Sequence, residues 1–416
     1  MTTQTAHKNI HALLFSDVFF PRINGVSTSM QTFRDALVGQ DIKVTIAAPD
    51  YPNHSDANDN AAATASYAHD DVERIPSRQV PLDPEDRLMT RAGLAAFRHR
   101  AASVDFSLIH IQTPFAAHYA GLKLARQLGI PAIATYHTHF EEYLFHYVPL
   151  IPRTVLRGLA RALARSQCNA LDTIVVPSQP MADTLADYGV TTPMVVIPTG
   201  LPESQFIRGD GNAFRVAHNI GAERKIALFV GRAAFEKNIG FLLEVAALAR
   251  QQRPDLLLIV AGEGPALPSL HQQAAALGLE NHVRFVGYLP RNTGLRDCYA
   301  AADLFVFASH TETQGLVLLE AMAVGLPVLA IPALGAGEIV APRRGAVAAA
   351  DTVSGFSAQM VALLDNPTRL RLLAEEAIDF AREWDAATQG ARLALLYREL
   401  VGTPATVQFH PHLAPV

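Results

Sequence analysis

The amino-acid sequence predicts an α/β protein with two doubly wound parallel sheets, each covered by helices on both faces. The chain has 416 residues, which is more than one hydrophobic core usually organises. Short, continuously apolar segments alternate with helix-length segments from end to end, as they do in buried parallel sheets. The pattern restarts near Lys225, after a polar stretch around residues 209–219. We therefore expect two similar domains that divide near residues 190–200.

The strand candidates are the apolar segments themselves. In the first half they are IHALLFS, IKVTIAA, SLIHIQ, PAIATYH and DTIVVPS. In the second half they are KIALFVG, LLLIVAG, HVRFVG, DLFVFAS and PVLAIPA. Residues 51–70 show no hydrophobic period and are interpreted as a surface loop. The segment AATQGARLALLYREL, after Trp384, predicts a last helix before a loosely held polar tail.

Composition and charge exclude several classes of protein. Half of the residues are hydrophobic, which is typical of an ordinary globular protein, and the net charge of −5 argues against a general nucleic-acid binder. Cys168 and Cys298 fit no CxxC pattern and are interpreted as reduced thiols of a cytoplasmic protein. The N-terminal segment predicts a first strand rather than a signal peptide. No segment approaches the ~18 uncharged apolar residues of a membrane span, so we expect any membrane contact to be peripheral.

The segment SHTETQGLVLLEAMAVG reads as a polar loop followed by a helix near Gly315. In two facing doubly wound sheets such loops line an interdomain cleft, where ligands bind beyond the strand ends. Thr311 or Thr313 is expected to cap the helix. Backbone N–H groups at its start would favour a phosphate in the cleft. These N–H groups belong to Gln314, Gly315 and Leu316.

Two carboxylates, Glu312 and Glu320, lie eight positions apart around this helix start. A carboxylate accepts two hydrogen bonds, which matches the vicinal hydroxyls of a sugar or a ribose. The ordinary alternative is that Glu312 is solvated and Glu320 caps a neighbouring loop. For either glutamate alone, both interpretations remain open.

Cations and a glycine follow two other strand candidates. In FVGRAAFEKNIG, Arg232 offers a planar fork and Lys237, which is expected to open the next helix, offers a point charge. This combination suits a diphosphate, although both residues are equally compatible with a surface position beside Glu236. In DVFFPRINGVSTSMQTF, Gly25 precedes a helix and would let the backbone approach a ligand closely.

His137 follows the strand candidate PAIATYH and is expected to face the cleft. His139 would point to the opposite side, and no Asp or Cys has a spacing that completes a metal site with these histidines. No D-x-D motif follows an apolar strand. We therefore predict neither a metal site nor a divalent cation on the diphosphate.

Four arginines in PLIPRTVLRGLARALARSQ recur every four residues, at Arg153, Arg157, Arg161 and Arg165. Apolar residues gather on the opposite side of this predicted helix, and no acidic residue interrupts the segment. Either the helix covers the core with its apolar side and exposes its arginines to solvent, or its arginines bind an anionic membrane surface. In the second case each arginine would contribute about 1 kcal/mol to the binding free energy.

Together these motifs resemble the retaining nucleotide-sugar glycosyltransferases of family 4, which have the GT-B fold of two Rossmann-like domains. The resemblance extends from Asp17 to about Gly345. Its most specific element is E-x7-E at Glu312 and Glu320, supported by GRAAFEKN and PRINGVSTS. The segments YHTHFEEYLFHYVP and CNALDTIVVPSQPMADTLADYGV look most like the branch that glucosylates diacylglycerol or related lipids.

The resemblance implies a role for each site residue. Glu312 would hold hydroxyls of the donor sugar, Glu320 the ribose hydroxyls, and His137 would lie against the sugar near the reacting carbon. The diphosphate would be bound by Arg232 and Lys237 and by backbone at Gly25, Gln314, Gly315 and Leu316. Tyr288 falls where the family holds the base. One departure is Leu201-Pro202, where an acidic residue often follows the Thr-Gly.

The resemblance also implies domain roles and a reaction. Residues 1–195 would bind the acceptor and residues 196–385 the nucleotide sugar, while residues 386–416 would form a C-terminal helix, which could pack back on the first domain, and a tail. The expected activity is the transfer of a hexose, with retention of configuration, from a nucleoside-diphosphate sugar, with a UDP-sugar favoured. The expected acceptor is a lipid such as diacylglycerol at the anionic inner face of the cell membrane. We expect the reaction to need neither a cofactor nor a metal. GDP-mannose as donor, a soluble or polysaccharide acceptor, a sugar-nucleotide isomerase and a non-catalytic sensor remain alternatives.

Overall fold

A computed structural model describes residues 9–51, 71–80, 83–137, 153–291 and 293–402. These residues form two compact units. Unit 1 contains described residues up to 200 together with residues 386–402, and unit 2 contains residues 201–385 apart from residue 292. Most of the predicted surface loop, the tail from residue 403 and His139 lie outside the described residues.

The described residues of unit 1 form nine strands. They are β1 (His11–Phe15), β2 (Lys43–Pro49), β3 (Val72–Ile75), β4 (Ser77–Val80), β5 (Asp83–Met89), β6 (Leu108–Ile111), β7 (Ala132–Thr135), β8 (Thr173–Val176) and β9 (Met194–Val196). Seven of them form a parallel sheet in the order β3-β2-β1-β6-β7-β8-β9, and β4 and β5 form an antiparallel pair. Because side chains alternate along a strand, Leu13 and Phe15 enter the core on one face of this sheet and Ala12 and Leu14 the core on the other.

Helices cover both faces of this sheet. They are α1 (Gly25–Val38), α2 (Arg91–Ala101), α3 (Ala116–Leu128), α4 (Arg153–Cys168) and α5 (Gln179–Asp187). Helix α1 begins with a capping box in which Asn24 and Ser27 exchange hydrogen bonds. Helix α3 ends at Gly129, which adopts the left-handed conformation with a φ of 66°.

Unit 2 contains a six-stranded parallel sheet. Its strands are β10 (Lys225–Val230), β11 (Leu256–Ala261), β12 (Val283–Gly287), β13 (Leu304–Phe307), β14 (Val328–Ala330) and β15 (Ala346–Ala348), in the order β12-β11-β10-β13-β14-β15. Its helices are α6 (Gly211–Ala217), α7 (Ile239–Ala249), α8 (Leu267–Ala276), α9 (Gly294–Ala301), α10 (Leu316–Ala323), α11 (Leu334–Val340), α12 (Val353–Leu364) and α13 (Pro367–Arg382). Short 3-10 turns span Glu203–Phe206 and Phe235–Lys237.

The last helix, α14 (Ala386–Gly402), returns to unit 1. Its Tyr397 is fully buried, and the tyrosine hydroxyl lies 2.6 Å from Nδ1 of His110 in β6. Gly390 packs against Ala36 of α1 without room for a side chain. The chain leaves unit 2 beside the point where it entered, since the Leu201 N–H donates to the carbonyl of Trp384 at 2.7 Å.

The predicted fold class is confirmed, and all ten strand candidates are strands. In both sheets the strand order changes direction next to the first strand of the unit, between β1 and β6 and between β10 and β13. The loops that leave neighbouring strands at such a point diverge and open a crevice beyond the carboxyl ends, where doubly wound proteins bind ligands. The sheet topology therefore locates a candidate site in each unit.

Candidate functional site

In unit 2, the loops after β10 and β13 bring Lys237 and Glu312 together. The Lys237 ammonium lies 2.6 Å from the Glu312 carboxylate, and both side chains are mostly buried. The alternative pairing of Lys237 with Glu236 is therefore wrong. Lys237 also does not open the next helix: it ends a 3-10 turn, and α7 begins at Ile239 because Asn238 interrupts the helix with a φ of 55°.

Helix α10, after β13, begins at Leu316 behind Gly315, whose φ is 91°. Its N-cap residue makes no side-chain capping bond, so the predicted cap by Thr311 or Thr313 is wrong. The backbone of Thr313 packs so closely on Gly335 of α11 that a side chain at Gly335 would overlap it. This packing and the left-handed Gly315 set the course of the loop. Gln314, in the same loop, is buried.

Glu320 faces a different set of partners. Its side chain is only 3% exposed, and its carboxylate forms an ion pair with Arg291, which follows β12, and accepts a hydrogen bond from the Tyr299 hydroxyl at 3.3 Å. Burial lowers the pKa of Arg291, but the Glu320 charge offsets this and the net shift is upward. Burial, and then the Glu320 charge, raise the pKa of the Tyr299 phenol. The alternative interpretation of Glu320, a contact with a neighbouring loop, matches this arrangement.

Arg291 and Tyr299 were not among the predicted site residues. Arg291 comes three residues after Tyr288, the predicted base-holding residue, which remains partly exposed. Because a buried carboxylate requires a partner, a cation directly after a strand candidate could have indicated Arg291 as the partner of Glu320. Tyr299, within an apolar stretch of α9, gave no signal apart from its hydroxyl.

Glycines bring two loop backbones of unit 2 into contact. Gly262 and Gly264, after β11, lie against the backbone of Gly231 and Ala233, after β10. The Ala233 N–H donates to the carbonyl of Glu263 at 2.8 Å. This contact fixes the loop that carries Arg232, which is itself half-buried.

In unit 1, His137 lies beyond β7 and pairs with Gln112, which follows β6. The two side chains meet at 2.9 Å between Nε2 of the imidazole and Oε1 of the amide. Burial lowers the pKa of His137 to about 4, so the imidazole is neutral near pH 7. Both residues line a cavity of about 30 Å³ together with His118 and Gln167, room for about one water molecule.

The loop after β1 holds a partly buried carboxylate, Asp17, and leads to the predicted Gly25, the first residue of α1. No atom of the described residues lies within 4 Å of the position that a side chain at Gly25 would occupy, so among these residues the backbone is open to a ligand. The Asp17 carboxylate accepts hydrogen bonds from the Thr113 hydroxyl at 2.7 Å and the Ala117 N–H at 3.1 Å. Burial raises the pKa of Asp17 to about 6, against these hydrogen bonds.

Helix α4 contains the predicted arginines. Arg157, Arg161 and Arg165 are exposed, and the guanidinium of Arg161 lies 5.0 Å from the centre of the Tyr188 ring. The side chain of Arg153 lies outside the described residues. Leu156 is buried, and Ala164 and Cys168 enter the core of unit 1, whereas three apolar side chains of the helix remain exposed, namely Val155, Leu159 and Leu163. Part of the apolar side therefore covers the core, and part of it faces solvent.

Within the part of the chain that the structure describes, no group of three or more His, Cys, Asp or Glu side chains could hold a metal ion. No helix among the same residues is both long enough and apolar enough to cross a bilayer.

Comparisons with known proteins agree with this geometry. Residues 23–205 match the family model described as Glycosyltransferase Family 4, and residues 210–384 match Glycosyl transferases group 1. An alpha-monoglucosyldiacylglycerol synthase of Streptococcus pneumoniae is 34% identical over 76% of this chain and 70% of its own length. A GDP-mannose-dependent alpha-mannosyltransferase of Mycolicibacterium smegmatis is 30% identical over 89% of this chain and 93% of its own.

Solved structures show the same fold. The sucrose-phosphate synthase of Thermosynechococcus elongatus superposes with a TM-score of 0.75 at 21% identity, covering 95% of this chain and 100% of that one. Anabaena HepE in complex with UDP and glucose gives a TM-score of 0.74 at 19% identity, covering 93% and 99%.

Proposed function

Because this chain belongs to glycosyltransferase family 4, we propose that it moves a hexose, with retention of configuration, from a nucleoside-diphosphate sugar to a hydroxyl of a membrane lipid such as diacylglycerol. The chain is a hexosyltransferase with the GT-B fold. The observation that carries the proposal is the Lys237–Glu312 ion pair in the loops after β10 and β13 of unit 2, where a cation and a carboxylate lie side by side. Glucose is the favoured sugar, since alpha-monoglucosyldiacylglycerol synthases are among the relatives. UDP is the nucleotide that the resemblance of the sequence favours.

The residues of unit 2 fit the charge changes of this reaction. The bond between the anomeric carbon and the diphosphate oxygen breaks, and the diphosphate gains negative charge. Lys237, Arg232 and the backbone at the start of α10 would stabilise that charge, because preorganised cations and N–H dipoles need no rearrangement. Glu312 and Glu320 would orient sugar and ribose hydroxyls. The acceptor oxygen bonds to the anomeric carbon, and its proton passes to the departing phosphate.

His137 would contribute as a neutral group. With its pKa near 4, it holds no proton to donate as imidazolium at pH 7. It would therefore bind a sugar or acceptor hydroxyl rather than act as a general acid. Its hydrogen bond to Gln112 fixes the orientation of the ring.

The test is a donor and acceptor panel. We expect the purified chain to convert diacylglycerol in anionic vesicles to a glycolipid with UDP-glucose, and the product to carry an α-linkage by NMR. UDP-galactose, ADP-glucose and GDP-mannose serve as competing donors, since a mannosyltransferase also matches most of the chain. Transfer to soluble sugars but not to the vesicle lipid would contradict the lipid acceptor.

We expect this transfer to survive excess EDTA. The cationic groups proposed for the diphosphate are side chains and backbone N–H groups, and the described residues include no cluster of acidic ligands for a cation. The measurement is the initial rate before and after chelation. Loss of activity that manganese or magnesium restores would contradict the prediction.

Binding to anionic vesicles is expected to depend on the arginines of α4. Arg157→Gln combined with Arg165→Gln should weaken binding roughly 30-fold at low salt, because each arginine near the surface contributes about 1 kcal/mol. Both side chains are exposed, and Arg161 is kept because it stacks on Tyr188.

The matched control is Arg371→Gln with Arg382→Gln, two exposed arginines of α13 in unit 2. It removes the same charge and should leave vesicle sedimentation unchanged. Equal losses in the two variants would mean that net charge, not helix α4, governs binding. Binding of the wild-type chain should also fall with salt, since screening shortens to ~3 Å at 1 M.

A further inference from the structure

Arg291, Glu320 and Tyr299 form a buried polar cluster in unit 2. Nη2 of Arg291 donates to Oε1 of Glu320, and the Tyr299 hydroxyl donates to Oε2 at 3.3 Å. Each carboxylate oxygen therefore has its own donor, and each keeps a second lone pair for a further hydrogen bond. The carboxylate is thus held in one orientation by the loop after β12 and by helix α9.

The turn that carries Arg291 is fixed by main-chain hydrogen bonds. The Pro290 carbonyl accepts the N–H of Thr293 at 3.3 Å and the N–H of Leu295 at 3.0 Å. Leu295 lies in the first turn of α9 and is buried, so the turn is tied to the helix that supplies Tyr299. Arg291 therefore has a defined place in the loop after β12.

Arg291 is the most exposed of the three side chains. Glu320 and Tyr299 are each 3% exposed, whereas Arg291 is 20% exposed. A small molecule that reaches the Glu320 carboxylate from solvent therefore also contacts the guanidinium. Any ligand of Glu320 is then a ligand of Arg291 as well.

The guanidinium has further donors for such a ligand. It offers several N–H groups, and its hydrogen bond to Glu320 uses one nitrogen, Nη2. A carboxylate only accepts hydrogen bonds and a guanidinium only donates them, whereas a sugar hydroxyl does both. Beside Glu320 alone, the lone pairs of a buried hydroxyl would stay unsatisfied, which costs free energy. The Arg291–Glu320 pair satisfies both sides of the hydroxyl and carries no net charge that would repel a diphosphate.

Tyr288, the residue predicted to hold the base, also lies near Arg291. Burial lowers the pKa of Arg291, the charge of Glu320 raises it, and Tyr288 raises it to a smaller extent. Arg291 is therefore within electrostatic reach of both Glu320 and Tyr288. These are the two residues predicted for the ribose and the base of one nucleotide.

We propose that Arg291 and Glu320 together bind the ribose diol of the donor nucleotide. The carboxylate accepts a hydrogen bond from a ribose hydroxyl, and the guanidinium donates to the same diol while it holds the carboxylate in place. Tyr299 is a positioning residue, since it acts through the carboxylate. This inference rests on the proposed function, in which Glu320 orients the ribose hydroxyls, and goes beyond it by assigning specificity for a ribonucleotide to Arg291.

Calorimetric binding of UDP and of 2′,3′-dideoxy-UDP tests the assignment. The wild-type chain should prefer UDP by roughly 100-fold or more, because a site that hydrogen-bonds a hydroxyl rejects the analogue that lacks it. Arg291→Met should lower this preference about tenfold, by weakening UDP while the dideoxy nucleotide stays within about threefold of its wild-type affinity. Arg291→Lys keeps the counter-charge of Glu320 but loses the planar fork, so it should recover only part of the preference. If the donor panel selects another base, the corresponding pair of nucleotides is used.

Arg253→Met is the matched control. Arg253 forms a 2.6 Å ion pair with Asp255 in the same unit and is 18% exposed. It precedes β11 at the amino end of the strand, away from the crevice. This variant should lose thermal stability and leave the affinities for both nucleotides unchanged.

The possible results separate this inference from the proposed function. Equal weakening of both nucleotides in Arg291→Met would show that Arg291 only supports the fold, and the inference is overturned. If that variant does not fold, an unchanged preference for UDP in Arg291→Lys overturns it. If the wild-type chain binds UDP and the dideoxy nucleotide equally well, the cluster does not bind the ribose diol, although binding of a nucleotide donor stands. If the wild-type chain binds no nucleoside diphosphate at all, the proposed function itself fails.

Discussion

Replacing Lys237 by alanine should lower kcat/KM for sugar transfer by roughly 100- to 1,000-fold, the usual loss when one preorganised group that stabilises the leaving charge is removed. The variant loses the cation and also leaves the Glu312 carboxylate, 2.6 Å away in the wild-type chain, without its counter-charge beside the proposed diphosphate. Glu312→Gln should cost a similar factor, because one acceptor oxygen becomes an NH2 group, which donates hydrogen bonds, and Lys237 loses its counter-charge. Initial rates and calorimetric binding of UDP measure both effects.

A matched ion pair separates catalysis from folding. Lys225 and Asp303 form a 2.9 Å pair in the same unit, at the amino end of β10 and away from the crevice. Lys225→Ala should change thermal stability by an amount similar to Lys237→Ala but leave kcat/KM near the wild-type value. If Lys237→Ala transfers sugar at a near-normal rate, or if both lysine variants lose activity equally, the assignment of the Lys237–Glu312 pair to the donor site is wrong.

The strands could be predicted from the sequence because nearly all of the side chains that they bury are apolar. Every residue of β1 and β11 is buried, so hydrophobicity alone marks them. The missed strand β5 has the sequence DPEDRLM, and its register with β4 is set by backbone hydrogen bonds that leave no hydrophobic pattern. The missed β15 has only three residues at the edge of its sheet.

The site was predictable where chemistry follows a strand directly and unpredictable where it depends on loops that meet in space. Lys237 and Glu312 could be expected at the same edge of the sheet because each stands in a loop after an apolar strand, and they do pair there, while their role at a donor site stays a prediction. The partners of Glu320 were missed because β12 and β13 are separated by two strands in the sheet, so sequence spacing gives no measure of the distance from Arg291. The predicted threonine cap failed because Gly335, from a later helix, packs on the loop.

The second large effect is expected at Gly262. Its φ is 137°, and a Cβ there would overlap the carbonyl oxygen of Gly231 in the loop after β10. The position of the Cβ is fixed by the backbone of residue 262, and the carbonyl oxygen is itself a backbone atom. No side-chain rotation can therefore relieve the overlap, and one of the two loops has to move. Gly262→Ala should lower the free energy of unfolding by about 3 kcal/mol or more, the range of strained backbone and core overpacking together. Chemical denaturation followed by circular dichroism measures the loss.

Gly25→Ala is the contrasting variant, because the same substitution there meets empty space. Gly25 is the first residue of α1 and lies outside the left-handed region, and no atom of the residues that the structure describes lies within 4 Å of the position that a Cβ would occupy. The free energy of unfolding should change by less than about 1 kcal/mol. If the open space serves the donor, the added methyl group should still raise the KM for the nucleotide sugar by about tenfold, as expected for a lost close approach. An unchanged KM would remove Gly25 from the donor site, and a stable Gly262→Ala chain would show that the contact between the two loops of unit 2 is dispensable.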